Sequence, residues 1–117
     1  MIMTPAEQAQ LRVLRILDED PGVSQRQLAG RLGVSLGKTN YLLRGLLAKG
    51  HVKAGNFLRA EDKLRYAYLL TPEGIAAKLQ LTRAYLARRE VEYLAIKAEI
   101  AAMRDELARQ EQRASGL

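Results

Sequence analysis

The chain of 117 residues contains no cysteine and no tryptophan, one histidine, one phenylalanine and three prolines. Without cysteine there is no disulfide framework, thiolate metal site or thiol redox switch. The single histidine, His51, has no acid or cysteine cluster near it in sequence, and neither metal-ligand spacing nor a phosphate-cradling glycine loop is present. The chain therefore does not read as an enzyme, and no cofactor or metal is expected. No apolar run approaches the ~20 residues of a membrane span. The start, "MIMTPAEQAQ", lacks a basic leader followed by an apolar stretch, so no signal peptide is expected and the protein reads as cytoplasmic.

Hydrophobic residues make up 48% of the chain but aromatics only 5%. This aliphatic, alanine-rich balance favours helix and a modest core. Net charge is +6, unevenly placed. Between Ser24 and Arg65 nine Lys/Arg face only Glu61 and Asp62, whereas from Pro72 onward eight basic residues meet seven acidic ones. The central segment seeks a polyanion, and the C-terminal one is a charge-balanced surface.

Helix signals punctuate the first half. Thr4, Pro5 and Glu7 form a start signal with a capping box, and Leu11, Leu14, Ile16 and Leu17 supply an apolar face that ends before Pro21. Ser24 and Gln27 form a second capping box, Leu28 and Leu32 lie one turn apart, and Gly33 suits a left-handed cap. Ser35 then caps a third helix that runs to about Lys49 and stops at Gly50. Two helices joined by so short a turn make a helix-turn-helix.

From Val52 the period changes to two. Val52, Ala54 and Asn56, then Tyr66, Tyr68 and Leu70, alternate on either side of the charged "RAEDK", which predicts a β-hairpin. Tyr66 and Tyr68 read as strand packing. The fold expected is mainly α with a small β-hairpin: a winged helix-turn-helix over residues 1–71, then a long helix over 72–117 capped by Thr71.

No proline or glycine interrupts Ile75 to Arg113, so a helix of ~40 residues and ~60 Å is expected. Its seam runs Ile75, Leu79, Thr82, Leu86, Arg89, Tyr93, Ile96, Ile100, Met103, Leu107, in alternating steps of four and three. That is a coiled-coil heptad flawed at Thr82 and Arg89. Leu79, Leu86, Tyr93, Ile96, Ile100, Met103 and Leu107 are the dimerisation candidates. A parallel partner would set Glu92 and Glu99 against Lys97 and Arg104; an antiparallel one would oppose Glu92, Glu99 and Glu106, so parallel pairing is favoured. The plainer reading is one amphipathic helix folded over its own domain. Leu81 and Tyr85 lie off the seam and could pack on the winged domain.

The third helix, "SLGKTNYLLRGLLAK", is unusual. At 100° per residue Thr39, Leu42, Leu43 and Leu46 face inward, toward Leu28, Leu32 and Val34. Lys38, Tyr41 and Arg44 form an outward stripe, with Leu36, Gly37 and Asn40 near its start. Glycine inside a helix costs ~1 kcal/mol against alanine, yet Gly37 and Gly45 lie within the pattern. Residues of these kinds suit a DNA major groove. Arg or Lys donates to guanine, Asn pairs with adenine, Leu36 meets a thymine methyl, and Gly37 permits close approach. Each has a plainer reading: charge for solubility, tyrosine for packing, glycine for turn geometry. Their conjunction in one helix-turn-helix favours a recognition helix over residues 35–49. Ser35 begins the DNA-binding segment at a helix N-terminus whose amides can meet phosphate, Arg26 on the preceding helix is a candidate phosphate anchor, and Arg59, Lys63 and Arg65 on a wing over 57–66 are candidates for the flanking minor groove or backbone.

"SQRQLAGRLGVSLGKTNYLLRGLLAKGHV" with the charged hairpin and "YLLTPEGIAAK" resembles the MarR-type winged-helix transcriptional regulators. More narrowly, "GVSLGKTNYLLRGLLAKGHVKAGNF" followed by "YAYLLTPEGI" resembles a short MarR-like group associated with bacterial exopolysaccharide gene clusters. The resemblance spans roughly residues 10 to 100. It implies a homodimer that binds a double-stranded DNA operator sequence-specifically; without a long apolar run, no membrane association is expected either. Larger MarR proteins enclose a small-molecule pocket between their N- and C-terminal dimer helices. With one helix at each end here, the resemblance leaves any effector unspecified. The alternative is a protein-interaction scaffold using winged helix and coiled coil, which has no need of a net +7 between Ser24 and Arg65.

Overall fold

The computed structural model describes residues 3–60 and 63–116, with side chains described outside 56–66. The element order is α1 (Pro5–Glu19), α2 (Gln25–Leu32), α3 (Leu36–Ala48), β1 (Val52–Ala60), β2 (Lys63–Leu70) and α4 (Pro72–Ser115). The chain divides into two compact units, residues 1–84 and 85–117.

Local chemistry sets the helix ends. Both capping boxes form: Thr4 with Glu7, and Ser24 with Gln27, each through bonds of 3.1 Å. α2 closes on Gly33 at φ 71°, with the Val34 N–H donating to the Ala29 carbonyl at 3.1 Å. α3 closes the same way: Gly50 has φ 75° and the His51 N–H donates to Leu46 at 3.0 Å. The left-handed conformation at both positions favours glycine. α1 is also tied to the end of α2, because the Arg12 guanidinium donates to the carbonyls of Leu32 and Arg31 at 3.1 and 3.2 Å.

Leu14 and Leu17 of α1, Leu28 and Leu32 of α2 and Leu43 and Leu46 of α3 form one core, closed by Val23 and Val52. Each fully buried Leu contributes about 1.5–3 kcal/mol of transfer free energy. Thr39 is buried among them, and its hydroxyl donates to the Ser35 carbonyl at 3.0 Å. The inward set of α3 is therefore the expected Thr39, Leu42, Leu43 and Leu46. Val34, expected to join that packing, is instead 37% exposed, because it sits in the turn after Gly33, where helical periodicity no longer sets direction.

The antiparallel hairpin is longer than the alternation predicted, reaching Ala60 and restarting at Lys63. Between Ala54 and Phe57 the register slips, since Ala54 pairs with Tyr68 and Phe57 with Tyr66. One extra residue on β1 makes a bulge, which breaks the side-chain alternation. Before the bulge the pairing is regular and Val52 and Ala54 share a face as expected, Val52 buried and Ala54 exposed.

Thr71 joins hairpin to α4. Its N–H donates to the His51 carbonyl at 3.0 Å, its hydroxyl donates to the Gly50 carbonyl, and that hydroxyl accepts from the Gly74 N–H at 3.0 Å. The start of α4 is further fixed by the Lys78–Asp18 ion pair at 2.6 Å and by Leu81, which packs on the core. In the second unit Glu92 accepts from Arg88 at 3.0 Å and Arg89 at 2.8 Å. Arg89, the flaw in the heptad seam, is thereby paired within its own helix. None of the described helices is long and apolar enough to cross a membrane.

Candidate nucleic-acid interface

α3 is presented by the short turn from Gly33 to Ser35. Ser35 is its N-cap, and the hydroxyl accepts from the Lys38 N–H at 3.0 Å. With four inward residues buried, the opposite side of the helix faces solvent. Leu36 is 48% and Tyr41 70% exposed. Lys38, Arg44 and, on α2, Arg26 are exposed too, with no acidic partner among the described residues. Lys38 holds its ammonium 5.2 Å from the centre of the Tyr41 ring, a cation–π distance that aligns the two on one stripe.

Arg31 belongs to the same basic segment but behaves differently. It lies 3.6 Å from Glu19 and 3.9 Å from Asp20, tying α2 to the end of α1. Such exposed pairs contribute little stability, but they distinguish a structural cation from the unpaired ones on α3.

A Cβ on Gly37 would meet only the Ser35 hydroxyl, at 3.9 Å, and one on Gly45 would meet nothing within 4 Å. Packing inside the chain thus does not require glycine at either position, although each weakens the helix by ~1 kcal/mol.

Asn40 is half-buried, and its side-chain N–H donates to the Gln25 side-chain oxygen at 3.4 Å. Gln25 in turn donates to the Tyr68 hydroxyl at 3.3 Å. This relay runs from α3 to α2 to β2. Sequence reasoning missed Gln25, since nothing local signals a partner fifteen positions away. Tyr68 also packs against the core, and its backbone N–H donates to Pro21 at 3.2 Å. The side chains of Arg59, Lys63 and Arg65, the expected wing contacts, and of Tyr66 lie outside the described residues. Among the described residues no cluster of His, Cys, Asp and Glu could hold a metal ion.

Residues 7–53 match the protein family described as winged helix-turn-helix DNA-binding. Comparison with curated proteins found no match. Among solved structures, the chain is similar to the PcaV transcriptional regulator of Streptomyces coelicolor, at 27% identity over 93% of this chain and 79% of that one, with a TM-score of 0.61. It is similar to the MarR family protein Rv2887 of Mycobacterium tuberculosis, solved with p-aminosalicylic acid, at 24% identity over 86% and 77% with a TM-score of 0.59. It is also similar to FabT of Streptococcus pneumoniae, solved in complex with DNA, at 24% identity over 92% and 75% with a TM-score of 0.54. The chain therefore carries a winged helix-turn-helix of the DNA-binding type, and its structural neighbours are MarR-family transcriptional regulators.

Proposed function

We propose that this protein is a MarR-type transcriptional regulator that binds a double-stranded DNA operator sequence-specifically as a homodimer in the cytoplasm. The observation that carries the reading is the stripe of Lys38, Tyr41 and Arg44 on α3, exposed and without acidic partners among the described residues. In the major groove Arg44 and Lys38 donate to guanine O6 and N7, and Leu36 meets a thymine methyl. Asn40 gives one N–H to Gln25 and keeps the second N–H and its oxygen, the donor and acceptor that adenine N7 and N6 require. Gly37 brings the first turn of α3 close to the bases. Ser35 and Arg26 lie at helix starts that suit phosphate, and the wing over 57–66 reaches the flanking minor groove or backbone through Arg59, Lys63 and Arg65.

The homodimer reading rests on α4. Leu79, Leu86, Tyr93, Ile96, Ile100, Met103 and Leu107 recur at heptad spacing and are all 45–59% exposed. A second copy in parallel register covers them in a coiled coil. Two recognition helices then read half-sites about one helical turn apart, ~34 Å. Exopolysaccharide genes are the proposed targets, on the resemblance of residues 33–57 and 66–75 to that regulator group.

The test is selection of bound duplexes from a random library by the full chain. The reading expects a two-fold symmetric consensus whose enrichment Lys38→Ala and Arg44→Ala each reduce. Recovery of no consensus would refute sequence-specific binding and favour the scaffold.

A further inference from the structure

Beside its exposed stripe, α3 shares a crevice of about 760 Å³ with the N-terminal half of α1. Pro5, Ala6 and Ala9 supply the α1 side. Leu42 and Gly45 of α3 also line it, with Lys38, Tyr41, Arg44 and Lys49. Its lining thus combines apolar groups, the amide of Gln10, three cations and a phenol, with no acidic residue among the described ones. Glu7, in the first turn of α1, is not part of the lining. Its charge interacts with that of Lys49, but its carboxylate is engaged by Thr4 in the capping box. Gly45 adds an independent observation. A side chain there would project into open space, with no atom within 4 Å of its Cβ among the described residues, so the glycine keeps clear a space that none of them fills.

We propose that this crevice seats the sugar–phosphate backbone of one operator strand, with Lys49 on a phosphate and deoxyribose against Ala6 and Ala9. The proposal deepens the DNA-binding reading and rests on it. The occupant follows from geometry and charge. An α-helix with its side chains is about 10–12 Å across and the major groove about 12 Å wide, so a helix lying in it has the strands that border the groove along its flanks. With Lys38, Tyr41 and Arg44 turned to the bases, the flank nearer α1 is this crevice. Backbone presents alternating anionic phosphates and apolar sugar faces, which complement a cationic rim on small apolar walls. Lys49, Gly45 and the first turns of α1 are thereby assigned a sequence-independent positioning role.

The experiment titrates the full chain, as wild type, Lys49→Ala, Gly45→Leu and Arg44→Ala, against a selected operator duplex and an unrelated duplex over a range of salt. Lys49→Ala is expected to lower the slope of log affinity against log salt by about one and to weaken both duplexes alike. Gly45→Leu, which fills the crevice while favouring helix, is expected to melt no lower than wild type and to bind both duplexes at least tenfold more weakly. A wild-type salt slope in Lys49→Ala, or wild-type affinity in a folded Gly45→Leu, would overturn the crevice proposal. Loss of operator preference in Arg44→Ala would in that event leave the reading face standing. Absence of operator preference in the wild type would overturn both.

Discussion

The main-chain carbonyl of His51 fills the space that a Cβ on Gly74 would need. An added carbon would lie 2.8 Å from the carbonyl carbon and closer still to its oxygen. Gly74 is buried, one turn into α4, where Thr71 already binds the same corner through Gly50 and His51. The string Leu-Thr-Pro-Glu-Gly thus has a physical reason. Threonine clamps the corner, proline opens the helix, and glycine lets the helix pass the backbone.

Gly74→Ala is therefore expected to destabilise the first unit by about 3 kcal/mol, the upper end of overpacking costs, because the obstacle is main chain and not a flexible side chain. Thermal melting checks this. An unchanged or raised melting temperature would mean the α4 start sits elsewhere.

Removing one of the proposed reading cations should cost specificity more than fold. Lys38→Ala or Arg44→Ala is expected to weaken operator binding by a few-fold to a hundredfold, the equivalent of about 1–3 kcal/mol for a good base contact. Unchanged operator affinity in both variants would refute the assignment of the reading face.

Tyr68→Phe removes only the hydroxyl that accepts from Gln25, leaving the ring packed on the core. Freed from that anchor, the Gln25 amide no longer fixes Asn40, and discrimination at the adenine proposed for Asn40 should fall several-fold while other positions hold. Single-base-substituted duplexes measure it. A uniform loss at every position would point instead to a shifted wing.

Glu7 titrates below its ordinary range, first because the Thr4 backbone N–H donates to its carboxylate, then through the Thr4 hydroxyl and the charge of Lys49. A depressed folded pKa favours the ionised form, so its stabilisation is present above the unfolded glutamate pKa and lost as pH falls through the folded value. Wild type should melt above Glu7→Ala at neutral pH, and the gap should narrow on acidification below the ordinary carboxylate range. A gap constant down to pH of about 3 would contradict this.

Ile100→Lys places a charge in the centre of the heptad seam. Sedimentation should show a dimer for wild type, as proposed, and a monomer for the variant, with weaker operator binding. A dimer that survives the substitution would place the interface away from α4.

What was legible in the sequence was short-ranged or periodic. The capping boxes of Thr4 and Ser24 act over three residues, and the buried set of α3 repeats with the helix. The bulge after Ala54 was not legible, since one inserted residue reverses the alternation with no compositional mark. Val34 escaped because a turn residue obeys no period. Gln25, Asn40 and Tyr68 come together only when α2, α3 and β2 pack, and the need for glycine at position 74 arises only from the His51 carbonyl across that junction.

The most direct test of the account is an equilibrium titration of the full chain with DNA from upstream of its own gene and neighbouring operons, against an unrelated duplex, at several salt concentrations. Binding of one fragment ~10³-fold or more above the control, with a steep salt slope, is the predicted result. Weak and equal binding to every duplex would contradict it.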